Sequence, residues 1–305
     1  AARGVYFSKV ISMGNGADLN ESDFLEYLAR DEETKIITAY LEGVRQGPRF
    51  FRALQKAARI KPVVVLKVGT SESGAEAAVS HTTALAGSDQ IWDGLLKQAG
   101  AIRAGSIEEM MDVALTFQQM TPPAGNRIVI VGIGGGASVI LADEFSHAGL
   151  VLPRLGDDIR QKLINVFPTE AGRIFKNPID LNNFETPDKF FSTMKILDEC
   201  EEADLLILHV AFDHFGLVSK TEKEFWVGSY LKLIGRLKKE LTKPLAVILH
   251  SYSSANMKPL AHQAEAELAA SGITVFPSIG RAVLALSRFT RYHAKRAGKN
   301  SAGVR

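Results

Sequence analysis

Short runs of β-branched and aliphatic residues alternate with longer amphipathic stretches along the whole chain. Val5–Ser12, Ile36–Leu41, Pro62–Val68, Ile128–Val131, Leu205–Val210 and Leu245–His250 read as buried strands. Between them Glu21–Arg30, Arg49–Ile60, Gln90–Gln98 and Ile107–Gln119 repeat apolar positions at helical spacing. Strand and helix in alternation predict parallel sheets built from βαβ units, the α/β class. The clearest breaker, Thr121-Pro-Pro-Ala-Gly-Asn126, falls where one run of units ends and a new strand begins. It predicts two domains, 1–120 and 127–298, joined by a linker over 121–126.

The two halves echo each other. Lys61-Pro-Val-Val-Val-Leu-Lys67 resembles Lys243-Pro-Leu-Ala-Val-Ile-Leu249, and Ala99-Gly-Ala-Ile102 with Ser106-Ile107 resembles Ser271-Gly-Ile-Thr274 with Ser278-Ile279. Each copy predicts a strand, a helix, a short edge strand, a Ser-Ile cap and a terminal helix. The first copy is longer by roughly ten residues, and the surplus lies in Gly69–Gly87. Val5–Ser12 and Ile36–Leu41 match Asn177–Leu181 and Leu205–Val210, but nothing in the first half matches the strand, glycine turn and helix of Ile128–Ala148. The first domain thus reads as starting one βα unit late, and the chain as a piece of a longer protein.

Composition narrows the classes without choosing among enzymes. The 305 residues are 46% hydrophobic and 23% charged, ordinary for a globular protein of two domains. Lys plus Arg number 36 against 34 Asp plus Glu, so the formal charge of +2 offers little to a nucleic acid. The single cysteine, Cys200, excludes an internal disulfide and a cysteine metal cage and fits a reducing, cytoplasmic compartment. No apolar run approaches the ~18 residues of a membrane span, and the start has no signal-peptide shape.

In parallel α/β sheets chemistry collects in loops that leave the carboxyl ends of strands. Gly69–Gly87 leaves such an end, is rich in Gly, Ser, Thr and Ala, and carries one imidazole, His81. Small neighbours let backbone approach a ligand, and a neutral imidazole is a competent nucleophile near pH 7. A solvated loop with an incidental histidine is the plain alternative.

The run Lys67-Val-Gly-Thr-Ser-Glu-Ser-Gly-Ala-Glu-Ala-Ala-Val-Ser-His-Thr-Thr-Ala-Leu-Ala-Gly-Ser-Asp89 resembles the phosphohistidine loop of ADP-forming (NDP-forming) acyl-CoA synthetases, relatives of succinyl-CoA synthetase. Phe7-Ser-Lys-Val-Ile-Ser-Met-Gly-Asn15, Tyr40-Leu-Glu-Gly-Val44 and Asn177-Pro-Ile-Asp-Leu181 extend the resemblance over nearly the whole chain. Thr83 stands where the family's loops usually have glycine. The resemblance implies two flavodoxin-like, doubly wound domains, packed so that the His81 loop faces the second domain's glycine turn. It implies a relay in which acyl-CoA and phosphate give an acyl phosphate, His81 takes the phosphoryl group, and the loop delivers it to ADP on a separate ATP-grasp module. CoA, ATP or ADP, phosphate and Mg are the implied cofactors, the metal and nucleotide on that module. A CoA-binding Rossmann domain and the ATP-grasp module are the implied partners, in the same or a partner chain. A small carboxylic acid is the implied substrate, and a homo-oligomer is compatible. The chain by itself is not expected to complete the reaction.

Two further features fit this scheme. Glu42 ends the strand Ile36–Leu41, at the sheet edge from which the loop also departs, and the family's matching glutamate contacts the histidine. The turn Val131-Gly-Ile-Gly-Gly-Gly-Ala137 joins a strand to a helix, so Gly134, Gly135, Gly136 and Ala137 offer backbone N–H groups to a phosphate. The same turn satisfies G-x-G-x-x-A through Gly132, Gly134 and Ala137, the basis of a remote NAD-dependent dehydrogenase reading. A CoA-responsive regulatory module, of the kind fused to protein acetyltransferases, is the nearer rival. It has no use for His81 as a nucleophile. His209, Asp213 and His214 flank a strand end as weaker pocket candidates, joined by His250, Ser251 and Ser253, and no metal set is evident. Arg281–Arg296 is a basic helix end of the solvated or interface kind.

Overall fold

The structure, a computed structural model, describes residues 4–302 except 15, 17, 72, 75–87, 133, 168, 170, 182–185, 213–219 and 252–256, and omits the side chains of 220–223 and 299–302. Two compact units divide the chain: Val5–Gln118, and Gln119–Arg305 with Ala1–Gly4.

The first unit runs α1 (Glu21–Arg30), β1 (Ile37–Leu41), α2 (Gly47–Ile60), β2 (Val63–Lys67), α3 (Asp89–Ala99), β3 (Ile102–Ala104) and α4 (Ile107–Gln119). Asn20 starts α1 with a capping box: its side chain accepts the Ser22 N–H, and Asp23 reaches back to the Asn20 N–H. The strands form a parallel sheet in the order β1-β2-β3, with Ile37 opposite Val63 and Leu41 opposite Lys67. One sheet face packs Ile37, Leu41, Val63 and Val65 against Phe50, Leu54, Trp92 and Leu96 of the helices.

Val5–Ser12, expected as a buried strand, is irregular and pairs with no strand among the described residues. Val5 is buried, but Tyr6, Phe7, Val10 and Ile11 are exposed, Val10 at 81%. The segment is held elsewhere, by Lys9 Nζ on Asp31 at 2.9 Å and Glu33 at 2.7 Å. β-Branched sequence supplies the tendency to extend, but a strand also needs a neighbour to bond.

The second unit contains β4 (Ile128–Gly132), α5 (Gly135–His147), α6 (Asp157–Val166), β5 (Ile179–Asp180), α7 (Pro187–Asp198), β6 (Leu205–Ala211), α8 (Lys220–Glu240), β7 (Leu245–His250), α9 (Lys258–Ala270), β8 (Thr274–Phe276) and α10 (Ile279–Ala302). Its five parallel strands lie in the order β5-β4-β6-β7-β8. In the unit's own count that is 2-1-3-4-5, the doubly wound flavodoxin order. Val129, Val131, Leu206, Leu208 and Val247 face α6 to α9 on one side. On the other, α5 and α10 pack against each other.

The repeat visible in the sequence is structural. β1, β2 and β3 correspond to β6, β7 and β8 in order and parallel pairing. Gly100 and Gly272 both take positive φ, 81° and 72°, at the helix end before the edge strand. Ser106 and Ser278 then cap the terminal helices, accepting from the N–H groups of Glu109 and Arg281.

Candidate active site

The glycine turn of the second unit is built by three elements. β4 is buried along its length and ends at Gly132. A Cβ there would stand 3.1 Å from the Cβ and 3.2 Å from the Nδ1 of His209, so any side chain at this position would press His209 aside by a few tenths of an ångström. Gly134 caps α5 with φ +105°, a region L side chains rarely adopt. Gly135 and Gly136 are exposed; a Cβ on Gly136 would meet nothing within 4 Å, and one on Gly135 only Asp180 Oδ2 at 3.6 Å. The N–H groups of Gly135, Gly136 and Ala137 lie in the first turn of α5, where a helix has no internal acceptor for them, and the helix dipole adds positive potential. The turn can receive an anion on its backbone.

Its position is fixed from the neighbouring edge. Asp180 Oδ1 accepts the Gly134 N–H at 2.9 Å, and the Asp180 backbone exchanges hydrogen bonds with Ile174. Leu181 N–H bonds to the Gly132 carbonyl at 3.1 Å. Asn177 uses its side chain as a piece of strand: Oδ1 accepts the Ile130 N–H at 3.1 Å, and Nδ2 donates to the Ile128 carbonyl at 2.8 Å. The sequence motif Asn177–Leu181 contained these two residues, but their roles were not legible there. A polar residue at each end of a very short apolar strand was the available signal.

At the first unit, Leu41 pairs with Lys67 in register, and the Leu41 carbonyl accepts the Val68 N–H at 3.0 Å. Glu42 and the segment beginning at Gly69 therefore leave the same carboxyl edge on adjacent strands. Glu42 is half-buried. Lys67 is buried, its Nζ bonded to the Val68 carbonyl and 5.4 Å from the Trp92 ring centroid. Burial pushes its ammonium below the usual lysine value, against the attraction of Asp89. His81 lies outside the described residues.

His209 and His250 are buried at the carboxyl ends of β6 and β7, their rings edge to face with centroids 5.8 Å apart. Asp213, His214 and Ser253 lie outside the described residues. Among the described residues no group of three or more His, Cys, Asp or Glu could hold a metal ion, and no helix is long and apolar enough to cross a membrane.

Residues 1–117 match the family model of the succinyl-CoA ligase like flavodoxin domain. The chain is 42% identical over 204 residues, 67% of its length, to acetate–CoA ligase [ADP-forming] I of Archaeoglobus fulgidus, covering 29% of that protein. It is 38% identical over 257 residues, 83% of its length, to the alpha subunit of acetate–CoA ligase [ADP-forming] II of Pyrococcus furiosus, covering 54% of it. Among solved structures, the dinucleotide forming acetyl-coenzyme A synthetase 1 of Ca. Korarchaeum cryptofilum, in complex with phosphate and ADP, is similar with a TM-score of 0.79 and 26% identity over 97% of this chain and 61% of that one. The chain spans about half the length, or less, of these curated relatives. Its first unit carries a succinyl-CoA ligase like flavodoxin domain, and the chain is a relative of the ADP-forming acetate–CoA ligases.

Proposed function

We propose that this chain is the ligase core of an ADP-forming acyl-CoA synthetase, interconverting acyl-CoA, ADP and phosphate with a carboxylic acid, CoA and ATP. The observation that carries the reading is the open glycine turn at the amino end of α5, with free space over its backbone at a parallel sheet's carboxyl edge, in a chain whose relatives bear that activity in their names. Phosphate and the phosphoryl group of an acyl phosphate rest on the N–H groups of Gly135, Gly136 and Ala137. His81 attacks the phosphorus: an N–P bond forms, the P–O bond to the acyl oxygen breaks, and the carboxylate leaves. Glu42 orients the imidazole and offsets the positive charge it gains. The phosphoryl group then passes to ADP. Nucleotide and Mg belong to an ATP-grasp module and CoA to a Rossmann domain, in the same or a partner chain, and the assembly works in the cytoplasm on a small carboxylic acid.

The reading is tested on the complete enzyme given acyl-CoA and labelled phosphate. Acid-labile, base-stable label should enter the wild-type protein and be absent from His81→Ala. Equal labelling of that variant overturns the assignment.

A further inference from the structure

One level of the repeated sheet differs in chemistry between the two units. In the first, Leu41 lies opposite Lys67 at the carboxyl ends of β1 and β2. In the second, Val210 lies opposite Leu249 at the same level of β6 and β7. By the repeat, Lys67 stands where Leu249 stands, and Glu42 where Ala211 stands. Ala211 and Leu249 are both buried, and Leu249 belongs to the apolar core. A leucine thus meets every packing demand of the position. The first unit buries an ammonium there instead, with Lys67 only 4% exposed. Taking a charge out of water is costly unless its partners repay it.

Those partners lie at the root of the segment that carries His81. Lys67 Nζ donates to the Val68 carbonyl, and the Val68 N–H donates to the Leu41 carbonyl at 3.0 Å. Val68 is therefore held on its N–H by β1 and on its carbonyl by the lysine. Gly69 then turns away with φ +69°. The stem closes on itself, because Gly74 N–H donates to Ser71 Oγ at 3.2 Å and a Cβ on Gly74 would stand 3.3 Å from Gly69 Cα. The ammonium lies 5.4 Å from the ring centroid of Trp92, which is buried against Phe50 and keeps the lysine in place. Asp89 and Glu42 attract the charge, although Asp89 is already paired with Arg103. Leu249 can make no such bond to the carbonyl that follows it.

We infer that Lys67 is a positioning residue for the histidine chemistry: its ammonium fixes the Val68 carbonyl and so sets where the segment carrying His81 leaves the sheet, beside Glu42. The inference rests on the reading of His81 as the phosphoryl acceptor. Lys67 acts through the chain it holds and not on the substrate. A neutral side chain leaves the Val68 carbonyl without its donor and the stem free to shift, and a displacement of about 1 Å costs reaction rate far more than it costs stability.

The complete enzyme, given acyl-CoA and labelled phosphate, is compared as wild type, Lys67→Met and Lys67→Leu. Methionine keeps the length of the side chain without its charge, and leucine is the residue at the matching position of the second unit. In both variants the thermal midpoint should stay within about 5 °C of wild type or rise, because a buried charge is exchanged for a hydrophobe. The rate of His81 labelling at saturating substrate should fall roughly tenfold or more, with the KM values for acyl-CoA and phosphate unchanged. A wild-type labelling rate in either variant that folds overturns the inference. So does a raised KM at unchanged maximal rate, which would place Lys67 in substrate binding. A midpoint lowered by more than about 5 °C in both variants overturns it too, because the ammonium then serves the fold. Label absent from the wild type, or persisting in His81→Ala, removes the reading beneath the inference and the inference with it.

Discussion

Asp180 reaches across 46 positions of sequence to hold the Gly134 N–H at 2.9 Å, fixing the left-handed residue from which α5 starts. A buried carboxylate takes the cap N–H, and the next three N–H groups have no acceptor within the helix. Asp180→Ala should leave the Gly134 donor without its partner and cost about 1–3 kcal/mol of stability, read as a fall in thermal midpoint of roughly 3–10 °C. Asp180→Asn keeps an acceptor oxygen and should recover most of that loss. Equal destabilisation by both variants would show that the hydrogen bond to Gly134 is not the source.

Gly135→Val tests the turn as an anion site without touching its frame. The new Cβ meets only Asp180 Oδ2, at ordinary contact distance. Stability should therefore stay within about 1 kcal/mol of wild type. Turnover of the complete enzyme should fall roughly a hundredfold or more, because the branched side chain stands where the anion must approach. Wild-type turnover in this variant rules the turn out as the phosphate site.

Glu42→Gln preserves shape and removes charge. With Glu42 stabilising the imidazolium, the loss should be about 2–4 kcal/mol of transition-state stabilisation, a roughly 30- to 1,000-fold slower phosphorylation of His81. Rapid-quench labelling measures it. Unchanged kinetics would reduce Glu42 to a residue that ends β1.

Asp204 makes a pH-dependent contribution to the second unit. Its side chain is 4% exposed and accepts from Arg127 Nε, Nη2 and backbone N–H at 2.9, 2.7 and 2.9 Å. Burial alone would raise the carboxyl, but the hydrogen bonds and charge of Arg127 outweigh it and hold Asp204 below the usual value. A depressed carboxyl stabilises the fold above its unfolded pKa, about 3.9, and that contribution is lost as pH falls through the folded value. Asp204→Asn should cost about 1–3 kcal/mol at pH 7 and converge on the wild type in acid, by denaturant titration at each pH. A constant gap between them down to pH 2 would refute the linkage.

Periodicity carried the sequence reading where the determinants are local. Glu21–Arg30 and Ile107–Gln119 were legible to the residue because their apolar spacing, with Asn20 before one and Ser106 before the other, sits within a few positions. The exposed Gly135-Gly136 backbone was legible as a strand-to-helix glycine turn. Val5–Ser12 was not, because its apolar pattern is that of a strand and its pairing depends on a neighbour that no local pattern records. Asp180 and Asn177 were not, because their partners lie 46 and 47 positions away. Side-chain caps that act across a fold leave only a polar letter in a sequence.

The Asn177 amide has a consequence for how this protein behaves in concentrated solution. β5 is two residues long and covers only the end of β4. Beyond it the side chain of Asn177 engages the Ile130 N–H and the Ile128 carbonyl, groups that a bare edge would present to any passing chain. The amide thus helps to remove the template on which foreign strands could accrete, together with Val151, whose backbone bonds the Ile128 N–H and the Asn126 carbonyl along the same edge. The valine- and isoleucine-rich β4 is shielded from joining fibrous aggregates by a polar side chain and one backbone bridge rather than by a full-length extra strand.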